Sequence, residues 1–398
     1  MNFKRILVAN RGEIAIRIIR AAHDLNIQSV AVFSEDDSAS LHLKIADDAQ
    51  PLKGRGVAAY LDIDRLIDIA RNNHCDAVHP GYGFLAEDAD FARRCQEEGI
   101  IFIGPPIKSL ELFGDKGQAR VAATRAGVPI LRGIDRAVTL EEAQAFFASL
   151  GPDAGIMIKA IGGGGGRGSR QVTDASQVEE AYNRCFSEAT NALKINGLYV
   201  EEFIKRSRHI EVQILGDQQG NIIHLSEREC SVQRRFQKLV EVAPAPHLAD
   251  DLRKDIIEAA MRLAKDVHYS NIGTFEFLVN TTETGTENRF FFIEVNARLQ
   301  VEHTVTEAVT GVDIVQAQIQ LASGSTLAEL GLENSSSLQP RGFAIQARVN
   351  METLMDDGSV KPSGGTMRSY EAPNGPGVRT DGFGYAGYST NPAYDSLL

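Results

Sequence analysis

The chain has 398 residues, of which 43% are hydrophobic and 24% charged, with a formal net charge of −12. That length calls for two or three cores around a shared cleft, and no stretch is apolar enough to cross a bilayer as a helix. The acidic balance argues against a nucleic-acid surface, and the scattered Cys75, Cys95, Cys185 and Cys230 suit neither a zinc site nor a disulfide framework.

Met1 to Arg5 runs straight into the apolar strand Ile6-Leu7-Val8-Ala9. No signal or transit pattern precedes it, so a cytoplasmic location is expected. Behind Gly12, the apolar positions Ile14, Ile18, Ala22 and Leu25 share one helical face. Ser29 to Phe33 reads as a second strand, Ile63 to Arg71 as a helix and Ala77-Val78 as a third strand. Short strands with helical crossovers predict a parallel sheet covered on both faces. A helix from Lys116 to Ala126 bridges to a smaller unit: helix Leu140 to Leu150, strand Ile156 to Ala160, a glycine run, strand Ser169 to Val172, a helix, and strand Leu198 to Phe203. Further on, His209 to Leu215 and Asn221 to Leu225 flank a Gly-Asp-Gln-Gln-Gly turn, a hairpin pattern. Gly273 to Val279 and Arg289 to Val295 flank a polar loop in the same way. The expected class is α/β with an α+β portion. It divides into a parallel-sheet unit at 1–114, a lid with its bridging helix at 115–204, a central part at 205–335 and the start of a last unit at 336–398.

The run Gly162 to Gly168, interrupted only by Arg167, is the strongest local feature. Glycine costs conformational entropy on ordering, so a folded chain uses such a run where backbone N–H groups must close around something, such as phosphate oxygens. The alternative is a flexible linker. Strands on both sides and Lys159 just upstream favour the phosphate reading. The Gly-Lys-Ser/Thr ending of a P-loop is absent, and Asn10-Arg11-Gly12-Glu13 is no dinucleotide fingerprint.

The segment Phe290 to His303 carries most of the chemistry. Strand alternation sets Glu294, Asn296, Arg298 and Gln300 on one side and Val295, Ala297 and Leu299 on the other. A solvated edge would explain this, but three consecutive phenylalanines point to a central strand. Across the hairpin, Glu276 and Glu294 can share Mg²⁺, which favours carboxylate and phosphate oxygens. In a straight strand Glu294 and Glu302 would lie roughly 26 Å apart, so both serve one site only if the chain turns after about Arg298. The basic run Glu229 to Lys238 reads either as solvated surface or as an anion site.

These segments together resemble the biotin carboxylase component of biotin-dependent carboxylases, an ATP-grasp family. The resemblance rests on Ala9-Asn10-Arg11-Gly12-Glu13-Ile14-Ala15, His79-Pro80-Gly81-Tyr82-Gly83-Phe84-Leu85, Gly114-Asp115-Lys116, the glycine run, Arg228 to Lys238 and Glu294 to His303. It implies an ATP-grasp fold behind a Rossmann-like domain, with a truncated C-terminal subdomain. It implies that Lys116, Lys159 and Gly164, Gly165 and Gly166 hold ATP phosphates, that Glu201, Glu202, Phe203 and Ile204 meet the adenine edge, and that His209 and Gln233 contact the nucleotide. Glu276, Glu294 and Asn296 match the set for Mg²⁺ (or Mn²⁺), with the two glutamates also counted among the ATP contacts. Lys238, Arg298, Gln300 and Val301 match a bicarbonate pocket, Glu302 a general base and Arg348 the stabiliser of a biotin enolate, with Lys238 and Arg298 counted in the catalytic set. Implied partners are a biotin carboxyl carrier domain that supplies biotin, a carboxyltransferase component and a second copy in a homodimer. Two departures stand out: Phe236 occupies a position where the family usually has histidine, and the chain stops at Leu398 where relatives continue. The alternatives are another ATP-grasp carbon–nitrogen ligase and a catalytically weak scaffold subunit.

Overall fold

The computed structural model describes residues 3–134, 136–150, 155–161, 169–190, 197–281, 289–333, 338–357 and 359–398. At the N-terminal end, β1 (Arg5–Val8), β2 (Gln28–Phe33), β3 (Asp48–Pro51), β4 (Ala77–His79) and β5 (Ile101–Phe102) form a parallel sheet in the order β3-β2-β1-β4-β5. Alternation sends Ile6 and Val8 to one face, against the Gly12–Asp24 helix. Leu7, Val32 and Val78 go to the other, against the Ile63–Asn72 and Ala89–Glu97 helices. A strand buried on both faces needs a continuous apolar run, and β1, β2 and β4 have one. The sequence reading missed β3, which carries no such run, and β5, which has two residues.

The lid is a four-stranded antiparallel sheet of β6 (Gly133–Ile134), β7 (Ile156–Ala160), β8 (Ser169–Val172) and β9 (Leu198–Glu202), ordered β6-β9-β7-β8. Its apolar face packs on the Leu140–Ser149 and Val178–Glu188 helices. The first of these starts where Thr139 and Glu142 form a reciprocal capping box, which satisfies backbone donors with no helical partner. The glycine run, with Gly164, Gly165 and Gly166, lies outside the described residues.

The central sheet is antiparallel, in the order β14-β13-β10-β11-β12-β15, built from β10 (Ser207–Gly216), β11 (Ile222–Arg234), β12 (Gln237–Ala243), β13 (Asn271–Asn280), β14 (Phe290–Asn296) and β15 (Ala344–Ala347). Both expected hairpins form. The Phe-rich β14 is at the sheet's edge, not its centre. Its outer side is covered by other means: Phe292 N–H donates to Pro129 O at 2.8 Å, and the Lys116–Arg125 helix packs against it. Edge burial by neighbouring chain explains why an edge strand can be this apolar.

Towards the C-terminus the chain returns to the first sheet. Tyr388 and Tyr394 approach Arg11, whose guanidinium forms a fork with buried Asp37 at 2.6 and 2.9 Å.

Candidate active site

Sheet register builds the site. Glu294 pairs with Glu276 across β14 and β13, Glu276 with Glu211 across β13 and β10, and Glu211 with Arg228 across β10 and β11. Four charged side chains therefore stand in one row on one face, while Val212, Phe275 and Val295 on the other face join the core under the Asp250–Asp266 helix. Three carboxylates side by side repel one another, so the row requires interleaved cations.

Those cations are present. Lys238 Nζ bonds Glu211, and reaches Glu276 at 3.0 Å and Glu302 at 2.7 Å. Lys116, at the start of its helix, bonds Glu294 at 2.5 Å, and His209 Nε2 lies 2.7 Å from Glu276. The fully buried Arg228 spends its guanidinium on Glu211, Gln213, Thr274, Gln300 and Thr306. It thereby ties the sheet to the turn after β14.

That turn settles how Glu302 joins the site. β14 stops at Asn296, two residues before the expected point, and Glu302 immediately precedes the His303–Thr310 helix. Gln300 consequently bridges Glu276 and Arg228 at 2.8 Å each, and Asn296 donates to Glu276 at 2.6 Å. Arg298 reaches Glu87 at 2.8 Å and Asn296 at 2.9 Å. Val301 accepts from Gln346 through its carbonyl at 3.4 Å. Arg348, just past β15, meets Glu302 at 2.9 Å and Glu241 at 2.6 Å.

Charge states follow from these contacts. Lys116 chiefly, with Lys159 and Lys238, holds the Glu294 carboxyl at about 2 against the opposing effect of burial. Burial pulls His209 down, but Glu276 and Glu211 outweigh it and bring the imidazole to about 9. Burial likewise opposes ionisation of Glu302, yet Lys238, Arg348 and Arg228 carry it below the usual range. Glu302 is therefore ionised and sits between two cations.

Lid residues form a second group. Lys159 on β7 bonds the buried Glu201 on β9, and Arg120 approaches Glu201 at 3.5 Å. Glu202 and Phe203 use their backbone N–H groups on Arg132 and Gly155 carbonyls, and Ile204 is half-buried beyond them. Gln233 Nε2 lies 3.2 Å from His209 Nδ1. The basic run resolves into both readings: Lys238 points into the site, whereas Phe236 on the β11–β12 turn is 48% exposed.

The sequence reading missed Glu211, Arg228, Glu241 and Glu87. The polar alternation His209, Glu211, Gln213 was a usable signal for the first of these. Glu241 and Glu87 carried none, because their partners lie more than 100 positions away. Among the described residues, the donor groups close enough for a metal are His209–Glu211–Glu276 and Glu211–Cys230–Glu302. Glu294 instead faces Lys116. The oxygen donors of Glu276, Glu294 and Asn296 still fit a hard divalent cation, with Glu294 already ionised.

Comparison with known proteins assigns this arrangement. Residues 2–110 match the model of the biotin carboxylase N-terminal domain, 115–330 that of the carbamoyl-phosphate synthase L chain ATP binding domain, and 346–398 that of the biotin carboxylase C-terminal domain. The biotin carboxylase domain of 2-oxoglutarate carboxylase from Hydrogenobacter thermophilus superposes with a TM-score of 0.92 at 42% identity, over 100% of this chain and 85% of that one. The chain belongs to the biotin carboxylase family. That relative was solved as a dimer with MgADP, ADP and bicarbonate. Pyruvate carboxylase of Bacillus subtilis is 51% identical over all of this chain, and mitochondrial pyruvate carboxylase of Homo sapiens is 49% identical over 99% of it. The chain spans about a third of the length of these curated relatives, 34% and 33%. The family is an ATP-grasp ligase family, and the parallel first sheet followed by antiparallel lid and central sheets is its architecture.

Proposed function

We propose that this chain uses ATP to activate bicarbonate and carboxylates biotin presented on a carrier domain, the first half-reaction of a pyruvate or acyl-CoA carboxylase. The observation that carries the reading is Glu302. One of its oxygens is bonded by Lys238 and the other by Arg348, and Lys238 links it to Glu211 and Glu276 in the carboxylate row whose Glu294 end holds Lys116.

Bicarbonate is a poor electrophile, and its oxygen becomes a nucleophile when Glu302 takes its proton. Lys238, Arg298, Gln300 and the Val301 backbone form the anion pocket beside it. Attack on the γ-phosphorus releases ADP and gives carboxyphosphate, with Lys116, Lys159 and the glycine run offsetting the phosphate charge. Glu201 to Ile204, His209 and Gln233 hold the nucleoside. Bound Mg²⁺ or Mn²⁺, held by Glu276, Glu294 and Asn296, would supply further charge neutralisation on the phosphates. Carboxyphosphate breaks down to CO₂ and phosphate, and the phosphate removes the ureido proton of biotin. Arg348 favours the enolate that attacks CO₂. Lid closure over this site excludes water from the labile intermediate.

Proposed partners are the biotin carrier domain, a carboxyltransferase component and a second copy of this chain; no nucleic acid is involved. The four-part division given above is retained as the proposed domain plan. Among the described residues no helix is long and apolar enough to cross a membrane. The cytoplasm is the proposed location, and cell fractionation distinguishes it from the mitochondrial location in the human relative's name. Phosphate release that requires bicarbonate and is accelerated by free biotin tests the whole reading. Release that instead requires an amine would support a carbon–nitrogen ligase, which the match of residues 115–330 accommodates.

A further inference from the structure

β12 and β15 pair with Glu241 opposite Gln346, so Arg348, two residues further on, is a diagonal neighbour of Glu241 on the same face. Arg348 places both Nε and Nη2 on the same oxygen, Glu241 Oε1, at 2.6 Å each. The same Nη2 also reaches Glu302 Oε2 at 2.9 Å. One hydrogen bond from Nε and a close Nη2 contact on the same oxygen fix the plane of the guanidinium as well as its position.

Stability alone gives this glutamate no advantage. Its side chain is fully buried, and its other oxygen, Oε2, has no hydrogen-bond partner among the described residues. Buried carboxylates with an idle oxygen are costly, and well-packed apolar residues often replace buried ion pairs without loss. Burial pushes the Glu241 carboxyl up to about 7 even though Arg348 pulls it down.

We propose that Glu241 is a positioning residue for biotin carboxylation, clamping the Arg348 guanidinium so that only part of its fork is spent on Glu302 and the remainder is presented to the ureido oxygen of biotin. The inference rests on the proposed role of Arg348 at the enolate. Without Glu241, the single bond to Glu302 no longer fixes the plane of the fork, and its free edge turns away from the biotin side. The effect belongs to the transition state of the second step and not to bicarbonate activation, so it separates in kinetics.

The test uses the full chain with ATP, Mg²⁺ and bicarbonate, with and without free biotin. Glu241→Met should lower kcat for biotin carboxylation by roughly 10- to 100-fold, the scale of misplacing a reacting group by about 1 Å. The biotin KM and the biotin-independent, bicarbonate-dependent ATP cleavage should each stay within about threefold. Glu241→Gln keeps an acceptor oxygen in place and should recover most of the lost kcat. Equal loss in both assays, or no loss in either, overturns the proposal. If the Met variant fails to fold by circular dichroism, Glu241→Asp, which keeps the charge but withdraws the oxygen, must give the same split. A parent protein that cleaves no ATP in response to bicarbonate would instead overturn the site reading beneath it.

Discussion

At the scale of single residues, Glu302 and His42 illustrate opposite uses of burial. Glu302 is buried yet ionised because Lys238 and Arg348 occupy its two oxygens. Glu302→Gln keeps the shape but cannot accept a proton, so bicarbonate-dependent ATP cleavage should fall at least ~100-fold, with the nucleotide Kd nearly unchanged. Steady-state phosphate release and nucleotide titration read the two effects, and unimpaired turnover would remove Glu302 from the mechanism. His42 is buried and neutral: burial holds it at about 4, although its bond to the Val32 carbonyl pulls the other way. A folded-state value below the unfolded one means that unfolding takes up a proton once the pH drops under about 6.5. The stability contributed by His42 is thus complete above that pH and declines as pH falls towards 4. Glu13, which burial raises to about 8, changes stability in the opposite sense, so the raw pH profile mixes the two. The clean measurement is a difference. The destabilisation caused by His42→Gln should shrink by roughly 1.4 kcal/mol per pH unit between pH 6 and 4.5 in urea titrations.

At the scale of elements, antiparallel register turns a scattered set of sequence positions into one row, Glu294–Glu276–Glu211–Arg228. A one-residue slip of β13 would send Glu276 into the apolar core and bring Phe275 or Phe277 into the cleft. The β11–β12 turn offers an independent test. Arg235 and Phe236 have φ of 50° and 66°, the left-handed region that a two-residue hairpin turn demands and that a bulky residue resists. Phe236→Gly should therefore stabilise the chain by about 1 kcal/mol, measured by chemical denaturation. A loss of stability would show that the exposed ring makes a compensating contact. The family resemblance in the sequence implies histidine at this position. Phe236→His should lower the ATP KM if the missing polar contact matters to nucleotide binding.

At the scale of the whole molecule, the C-terminal segment is fastened to the first sheet through the Arg11–Asp37 fork. Asp37 also accepts from Tyr60 at 3.1 Å, and Asp36 holds Asn391 at 2.7 Å and Tyr394 at 3.1 Å. The Asp37 side chain is almost fully buried, so Asp37→Ala leaves a guanidinium uncompensated in a low-dielectric setting. That should cost about 3–5 kcal/mol. Thermal unfolding should show it as a fall in the Tm of the first unit, and limited proteolysis as new cleavage near 380–394. An unchanged Tm would mean that water replaces the carboxylate without penalty.

The sequence by itself determined the apolar strands of the first sheet, three of the four lid strands, both hairpins and the Glu276–Glu294 pair, because strand periodicity and turn chemistry are local. Its family resemblance named Lys116, Lys159, Lys238, Glu276, Glu294, Glu302 and Arg348, and the fold brings the last five into one connected cluster with Lys116. Only the tertiary structure decided that β14 lies at an edge sealed by Pro129 and a helix, and that the chain bends at Asn296. It alone decided that Glu211 and Glu241 hold Lys238 and Arg348 in place, and that Arg228 braces Glu211. Those facts depend on which strands become neighbours. Pairing between positions as far apart as Glu241 and Arg348 leaves no periodic trace in the chain, since each partner alone looks like an ordinary polar residue on a strand.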